Sequence, residues 1–259
     1  MDRPLLTARL QQKLLLSESA QCYHLEFAID DLSHFDFVPG QFISCLATDD
    51  RGKAQTRAYS IASAPRANML DLCVNRVEGG FFSNFLCDLE VGQTIQFHGP
   101  HGFFTLRQPL TDSIFIATGT GIAPILGFVQ YLFPDSGEDR SNGRQVWLVY
   151  GTRHETGTYY REYFEKVAAE RPNFQYLCTL SRPQEGWEGL RGYVQDHVAR
   201  LLDDRNSHSH TLPVPTTAEG AGFDIHAYIC GLNMMVSANR DRLKQRGWDR
   251  KQIIFERYD

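Results

Sequence analysis

The chain has 259 residues, of which 42% are hydrophobic and 22% are charged, and its formal net charge is −5. This length suits two domains or one large barrel, and the composition excludes disorder, collagen-like repeats and coiled coil as the main architecture. Because 31 acidic residues outnumber 26 basic ones, a nucleic-acid partner is not expected.

The cysteines and the apolar segments narrow the class further. No two of the six cysteines have a CxxC-like spacing, so a metal finger, an iron–sulfur loop or a disulfide framework is not expected. The most apolar segment, residues 113–129, contains three glycines and Pro124, which argues against a membrane span. The first residues lack the apolar core of a signal peptide. We therefore expect a soluble cytoplasmic protein.

The first part of the chain consists of short β-like runs separated by turn residues. Six such runs with one helix at residues 82–89 indicate a small antiparallel barrel, since closure hides the sheet edges. A β-sandwich is the alternative. The predicted strands are residues 8–16, 23–29, 41–47, 58–62, 70–77 and 94–98.

The second part of the chain alternates strands with helices. Strands that are apolar throughout and spaced by helices are typical of a parallel sheet covered on both faces. The sequence therefore predicts a barrel domain at residues 1–108 and an α/β domain at residues 109–259. The predicted strands are residues 114–118, 146–150, 174–180, 227–230 and 253–256, and the predicted helices are residues 124–133, 159–171, 194–202 and 233–246.

Residues 203–222 are rich in Ser, His, Thr, Pro and Gly, a composition that predicts a surface loop. His208 and His210, with the more distant His226, raise the question of a metal site. We interpret them as part of a solvated loop.

The strongest local signal is a glycine turn between an apolar run and a helix, at residues 114–124 (IFIATGTGIAP). Glycines let the backbone approach a phosphate, and the free N–H groups and dipole of the helix stabilise its negative charge. The turn would lie at the carboxyl end of a parallel strand, where such sheets bind ligands. A purely structural turn is the alternative.

Two further segments lie in the barrel half. Residues 57–63 (RAYSIAS) offer an arginine for a phosphate, an aromatic ring for stacking and a hydroxyl for a hydrogen bond. Residues 78–83 (EGGFFS) lead into a helix, with Ser83 as the expected cap of a second anion site. A strand with alternate exposed residues is the alternative for the first segment. Two anion sites imply one nucleotide each, or one long dinucleotide.

With these motifs the chain resembles the plant-type ferredoxin–NADP(H) reductase family over essentially its whole length. The segments RAYSIAS and GFFS are similar to the family's FAD signature and diphosphate turn, and TGTGIAP is similar to its nucleotide turn. Residues 230–235 (CGLNMM) match CGxxxM, and Glu256 and Tyr258 match a C-terminal Glu-x-Tyr. Five ordered motifs at family-like spacing are far more specific than any single one.

The resemblance implies a role for each matching residue. Arg57 and Ser83 would hold the flavin diphosphate, Tyr59 would stack on the isoalloxazine, and Ser60 would approach flavin N5. Tyr258 would cover the opposite flavin face until the nicotinamide displaces it. The implied FAD-binding residues are Arg57, Ala58, Tyr59, Ser60, Phe81, Phe82, Ser83, Thr118 and Tyr258. The implied NADP-binding residues are Thr120, Gly121, Arg153, Ser181, Arg182, Gly231 and Met235. The implied catalytic residues are Ser60, Cys230 and Glu256.

Ordinary structural roles stay open for three of these residues. Cys230 ends a buried strand and could be a small core residue, and Glu256 and Tyr258 could be solvated surface groups.

The choice of nucleotide depends on charges near the strand ends. NADP recognition needs cations for the 2′-phosphate, whereas NAD recognition usually uses a carboxylate for the ribose diol. Arg153, Ser181 and Arg182 follow the second and third strands of the α/β domain, where the family places such cations, and we expect NADP(H). Bacterial relatives commonly carry an arginine after the glycine at position 192, where this chain has Tyr193, although Arg191 could substitute.

The implied activity is electron transfer between NADP(H) and a separate ferredoxin or flavodoxin, by hydride transfer to flavin N5 and then one-electron steps. Residues 240–251 contain six basic and two acidic residues, which suits an acidic partner or an ordinary solvated helix face. A monomer is the family default. The alternatives are an NAD(P)H-dependent reductase component of an oxygenase system, a flavin reductase, and a non-catalytic FAD electron-transfer subunit of a larger complex.

Overall fold

The computed structural model describes residues 4–49, 51–207 and 222–258. The chain forms two compact units, one of residues 1–105 and 123–131 and the other of residues 106–122 and 132–259. The expected domain boundary at residue 108 stays a prediction. Residues 123–131 lie beyond it in sequence but belong to the first unit.

The first unit is an antiparallel barrel, as the strand pattern predicts. Its six strands lie in the order β4-β3-β6-β1-β2-β5, and an antiparallel bridge between Ile61 and Leu72 connects the two edge strands. The interior is filled by alternate apolar residues, such as Leu25, Phe27 and Ile29. The strands are β1 (Leu6–Ser17), β2 (Cys22–Ile29), β3 (Phe42–Thr48), β4 (Ala54–Ser60), β5 (Met69–Asn75) and β6 (Thr94–His101), and helix α1 (Phe81–Asp88) precedes β6.

The second unit contains a parallel six-stranded sheet in the order β10-β9-β8-β7-β11-β12. The strand order reverses at β7, which lies between β8 and β11, so the carboxyl ends of β7 and β11 form the switch point where such sheets bind ligands. The strands are β7 (Asp112–Thr118), β8 (Val146–Thr152), β9 (Phe174–Leu180), β10 (Leu190–Arg191), β11 (Ile225–Leu232) and β12 (Ile253–Tyr258). The helices are α2 (Ile122–Leu132), α3 (Arg161–Glu170), α4 (Val194–Ser207) and α5 (Asn233–Gln245).

The expected loop at residues 203–222 is wrong at its start, because α4 continues to Ser207. Ion pairs hold this last turn: Arg205 lies 2.9 Å from Asp112, and Asp203 lies 2.8 Å from Arg246. His208 and His210 lie outside the described residues. His226 lies in β11, where its Nδ1 is 2.7 Å from the Thr111 hydroxyl.

Residues 4–49, 51–207 and 222–258 contain neither a helix that could span a membrane nor a cluster of metal-ligating side chains. No helix in these ranges is long and apolar enough to cross a membrane. The same ranges contain no group of three or more His, Cys, Asp or Glu side chains that could hold a metal ion.

Candidate functional site

The barrel brings its two sequence motifs together. In β4, Tyr59 lies opposite Ile43 of β3, and its half-buried ring packs 6.4 Å from the ring of Phe82 in α1. Burial raises the pKa of Tyr59, so its hydroxyl stays neutral at physiological pH. Ser60 is buried at the strand end, whereas Arg57 and Ala58 are exposed. The arginine is therefore accessible to an anionic ligand.

Helix α1 begins differently from the prediction. Its N-cap is Gly80, and Ser83 lies in the first turn, so the assignment of Ser83 as the cap is wrong. The Ser83 hydroxyl accepts the Val77 N–H at 3.1 Å and donates to the Gly80 carbonyl at 3.3 Å. A Cβ at position 80 would lie 2.8 Å from this hydroxyl, so a glycine is needed here. Ser83 therefore fixes the turn that presents the helix N-terminus.

An open cleft of about 1060 Å³ runs along α1, from Gly79 before its first turn to Leu89 at its end. Phe81 and Phe85 line it on the helix side, and its other charged lining residues are Arg9, Arg51, Asp49 and Asp88. Phe81 and Phe85 stack with an interplanar angle of 15°. Free N–H groups of a first helical turn, arginines and flat aromatic rings suit a diphosphate joined to ring systems. The residues of the barrel therefore fit FAD.

In the second unit, the glycine turn packs tightly against β11. Thr118 ends β7, and Gly119–Gly121 form a 3-10 turn before α2. A Cβ on Gly121 would collide with the Cys230 carbonyl, and a Cβ on Gly231 would lie 2.5 Å from the Thr118 hydroxyl. That hydroxyl is buried and has no hydrogen-bond partner among the described residues. The close backbone approach and this unsatisfied group are consistent with a ligand site at the switch point.

The register of β11 and β12 brings the C-terminal motifs together. Cys230 lies opposite Glu256, and Leu232 lies opposite Tyr258. The Cys230 side chain is fully buried, and burial, with a smaller contribution from Glu256, raises the pKa of its thiol well above the usual value. The thiol is therefore neutral. Met235, at the start of α5, places its methyl group 2.9 Å from where a Gly231 Cβ would lie.

The expected phosphate-binding residues lie on adjacent strand ends. The N–H of Arg182 donates to the Arg153 carbonyl at 2.9 Å, and the N–H of Ser181 donates to Thr152 at 2.9 Å. Both arginines are exposed, and neither forms a salt bridge with any residue that the structure describes. The nearby carboxylate of Glu155 instead pairs with Arg161 at 2.9 Å. Two cations are therefore available for an anion, while the carboxylate is engaged elsewhere.

A buried polar cluster that no sequence motif indicates lies next to the flavin motif. Asp71 of β5 is 1% exposed and accepts two bonds from Arg66, at 2.7 and 3.0 Å. Its own N–H donates to the Ser63 hydroxyl at 3.2 Å, and His24 lies 3.6 Å from its carboxylate. Ser63 and Arg66 lie in the segment between β4 and β5, and His24 lies on β2, so only the pairing of β2 with β5 completes the cluster.

The barrel and the doubly wound sheet define a two-domain oxidoreductase that combines a flavin with a nicotinamide nucleotide. Residues 7–106 match the model of the Oxidoreductase FAD-binding domain family. Residues 115–241 match the model of the Oxidoreductase NAD-binding domain family. The cofactors are FAD and NADP(H).

Comparison with similar proteins identifies the family of oxidoreductases to which the chain belongs. Ferredoxin--NADP reductase B of Sorangium cellulosum is 37% identical over 239 residues, which cover 91% of each chain. The chain therefore belongs to the ferredoxin–NADP reductase family, which confirms the resemblance. A 2-halobenzoate 1,2-dioxygenase electron transfer component of Burkholderia cepacia is 29% identical over 93% of this chain, but the match spans only 64% of that protein. The structure of a ferredoxin NADP⁺ reductase from Neisseria gonorrhoeae with bound FAD and NADP shares the fold, with a TM-score of 0.76 at 19% identity over 99% of each chain.

Proposed function

We propose that this protein is an NADPH:ferredoxin or flavodoxin oxidoreductase that works as a cytoplasmic monomer. When bound, FAD supplies the redox chemistry, namely hydride acceptance and one-electron release. The protein supplies binding, orientation and exclusion of water. The six free thiols, with Cys22 and Cys73 only 3.8 Å apart, are consistent with a reducing compartment.

The barrel residues hold and orient the flavin. Arg57 and the first turn of α1, ordered by Ser83, bind the diphosphate, with Ala58, Phe81 and Phe82 in the same wall. Tyr59 provides a flat, neutral ring for stacking. Ser60 directs its hydroxyl toward flavin N5. The packing of Tyr59 against Phe82 supports a single site built from both motifs.

The switch-point residues hold the nicotinamide half of NADPH. Thr120, Gly121 and Gly231 would allow close approach of the nucleotide, Met235 would border it, and the Thr118 hydroxyl would be available for a hydrogen bond to a ligand. Cys230 and Glu256 would line the nicotinamide pocket, and Tyr258 would supply an aromatic ring for stacking. The register that pairs Cys230 with Glu256 supports this grouping.

NADPH is the preferred nucleotide in this proposal. The observation that supports this preference is that the cations of Arg153 and Arg182 are available for a phosphate. Their backbones are joined by a hydrogen bond, so the two side chains extend from neighbouring backbone positions. Ser181 adds a hydroxyl, and Tyr193, which is 63% exposed, is available to stack on adenine. A 2′-phosphate would gain charge-assisted bonds there.

Anaerobic rapid mixing of the FAD-loaded enzyme with NADPH or NADH tests this proposal. We expect NADPH to reduce the flavin with the higher kcat/KM. Replacing either Arg153 or Arg182 with alanine should lower the value for NADPH about 10- to 100-fold, because each bond to a charged group is worth about 1.5–3 kcal/mol, with little change for NADH. Arg171→Ala, just before the start of β9 at the opposite sheet edge, is the matched control. Equal kcat/KM for NADPH and NADH in the wild type would contradict the proposal.

The protein partner is proposed to be acidic. Arg242 and Arg246 pair with Asp196 and Asp203 of α4, at 2.6 and 2.8 Å. Of the other cations of residues 240–251, Arg240 and Lys244 lie about one turn apart on α5, and Arg250 and Lys251 lie in the 3-10 turn before β12. Arg240 lies 4.0 Å above the Phe255 ring, and Arg257 lies 5.3 Å from it. This outer basic face consists of Arg240, Lys244, Arg250, Lys251, Phe255 and Arg257, and its cations form no salt bridge with any described residue.

An NAD(P)H-dependent reductase component of an oxygenase system is the second candidate. The 29% identity to a dioxygenase electron transfer component favours it. Reduction of an oxygenase ferredoxin by NADH, at a higher rate than NADPH supports with any other ferredoxin or flavodoxin, would select this candidate.

A further inference from the structure

We infer that Gln130 and Gly127 of helix α2 are positioning residues for the flavin motif, an inference that rests on the proposed function of that motif. The segment concerned is residues 61–64, which directly follow Ser60. In the first unit, the barrel strands hold the first part of this segment and helix α2 holds its end. None of the residues implied by the family resemblance lies on this part of α2.

The barrel holds the first half of the segment. The N–H of Ile61 donates to the Gln41 carbonyl at 2.9 Å, and the N–H of Ala62 donates to the Asp71 carbonyl at 2.7 Å. The Ser63 hydroxyl accepts the Asp71 N–H at 3.2 Å. Ile61, Ala62 and Ser63 are fully buried. These contacts fix the segment in the plane of the barrel wall.

Helix α2 holds the second half. The N–H of Ala64 donates to Oε1 of Gln130 at 2.9 Å. A Cβ on Gly127 would lie 2.7 Å from the Ser63 carbonyl oxygen, so only a glycine lets the helix approach so closely. Next to it, the fully buried Phe128 ring lies 5.4 Å from the Phe104 ring. The helix therefore packs closely on the segment at Gly127, and the side-chain amide of Gln130 fixes the position of the Ala64 backbone.

The geometry has a consequence for Ser60. Only three residues separate it from the backbone group bonded to Gln130, and residues 61–63 between them are tightly held. If Gln130 or Gly127 releases the segment, the Ser60 hydroxyl moves with it. A displacement of about 1 Å near a reacting centre can lower a rate by as much as about 100-fold. The nucleotide turn, residues 119–121, precedes α2, and neither substitution changes a residue of it, so the binding of NADPH should be spared.

The test compares Gln130→Leu, Gln130→Glu and Gly127→Ala with the wild type. The leucine removes the acceptor for the Ala64 N–H, the glutamate keeps an oxygen there, and the alanine forces the Ser63 carbonyl to move. Gln252→Leu is the matched control, because Oε1 of Gln252 also accepts a backbone N–H, from Asp249 at 3.0 Å. For each FAD-loaded protein, the flavin absorption spectrum, the rate of anaerobic reduction at saturating NADPH, and the KM for NADPH are measured.

We expect Gln130→Leu and Gly127→Ala to slow flavin reduction at least about threefold and to shift the flavin spectrum, with KM for NADPH within about twofold of the wild type. Gln130→Glu should restore the wild-type rate and spectrum. If Gln130→Leu does not fold, Gly127→Ala gives the same readouts, since alanine is the better helix former.

Wild-type rates and spectra in both Gln130→Leu and Gly127→Ala would overturn the inference, and so would a loss in Gln252→Leu as large as that in Gln130→Leu. Failure of the proposed function is distinct: the wild type itself would then hold no FAD or would not be reduced by NADPH.

Discussion

At the scale of single residues, Asp71 has the most unusual surroundings. Burial raises the pKa of its carboxyl group to about 7, which outweighs the lowering effect of Arg66, and Glu26 on β2 raises it further. His24 also faces this carboxyl group, and burial lowers the pKa of that imidazole. Between pH 4 and pH 7 the folded protein therefore holds a proton at Asp71 that the unfolded chain has lost.

This difference predicts how stability changes with pH. Because the folded state holds this extra proton, the contribution of Asp71 to the free energy of unfolding should fall as pH rises from 4 to 7, by up to about 4 kcal/mol at about 1.4 kcal/mol per pKa unit. His24 and His226 act in the opposite direction, because burial lowers the pKa of each imidazole and the folded state then binds fewer protons than the unfolded chain. The difference in free energy of unfolding between the wild type and Asp71→Asn therefore isolates the Asp71 contribution, and urea unfolding at a series of pH values measures it, with Asp31→Asn, at an exposed position, as the control. A difference that stays constant from pH 4 to pH 7 would contradict the assignment.

Residues within contiguous motifs could be predicted from sequence, and contacts between strands could not. The motif residues Tyr59, Cys230 and Glu256 were found because family-like spacing identifies them, and their individual roles stay predictions. The assignment of Ser83 as a cap failed because serine favours the cap position on average, whereas here Gly80 ends the turn and Ser83 bonds back to it. Gln130 could not be predicted because its partner, Ala64, is 66 residues away in sequence. Arg66 and Asp71 are only five residues apart, but their ion pair depends on the turn before β5 and on burial against β2, which no motif indicates.

At the scale of elements, helix α1 shows how one hydroxyl orders a binding turn. Ser83→Ala would leave the Val77 N–H without this acceptor and would loosen the turn at Gly80. We expect a loss of about 0.5–1.5 kcal/mol of stability, the net contribution of one hydrogen bond whose donor lies in an exposed residue, together with weaker FAD retention. Flavin release on gel filtration and thermal unfolding measure the two effects.

A serine elsewhere provides the comparison for Ser83→Ala. The Ser207 hydroxyl also donates to a backbone carbonyl, that of Asp203 at 3.0 Å, at the exposed end of α4. Ser207→Ala should leave FAD retention unchanged. If the two variants retained FAD equally well, the role of Ser83 at the diphosphate would be excluded.

Element types followed from apolar periodicity, and element ends did not. The buried strands β7 and β8 were predicted because they are apolar throughout. Strand β4 was predicted at residues 58–62 but runs from Ala54 to Ser60, because its polar first half gains its place from pairing with β3 rather than from burial. The two-residue β10 has too little sequence to give a pattern.

At the scale of the whole molecule, the charge of −5 hides a local excess of positive charge on the outer basic face. An acidic ferredoxin should be steered there by long-range attraction. We expect its reduction rate to fall as salt rises and Lys244→Glu to lower it about fivefold at low ionic strength. Reduction of ferricyanide, which is small and needs no docking surface, should change little in the variant.

The control for this docking surface is Lys53→Glu, which makes the same charge change at an exposed position of the barrel. Stopped-flow rates with the acidic ferredoxin at several salt concentrations compare the two variants. If both variants slowed ferredoxin reduction equally, the effect would depend only on net charge, and the outer basic face would have no specific role.

The placement of helix α2 limits how such proteins can be recombined. Its middle residues pack on the barrel through Phe128, Gly127 and Gln130, although they follow the first strand of the parallel sheet in sequence. A chimera joined at residue 108 would give the barrel a helix from a foreign parent, against Gly40 and Phe104, where the fit allows no extra atoms. A chimera that exchanges nucleotide specificity between relatives must therefore take residues 123–131 from the same parent as the barrel.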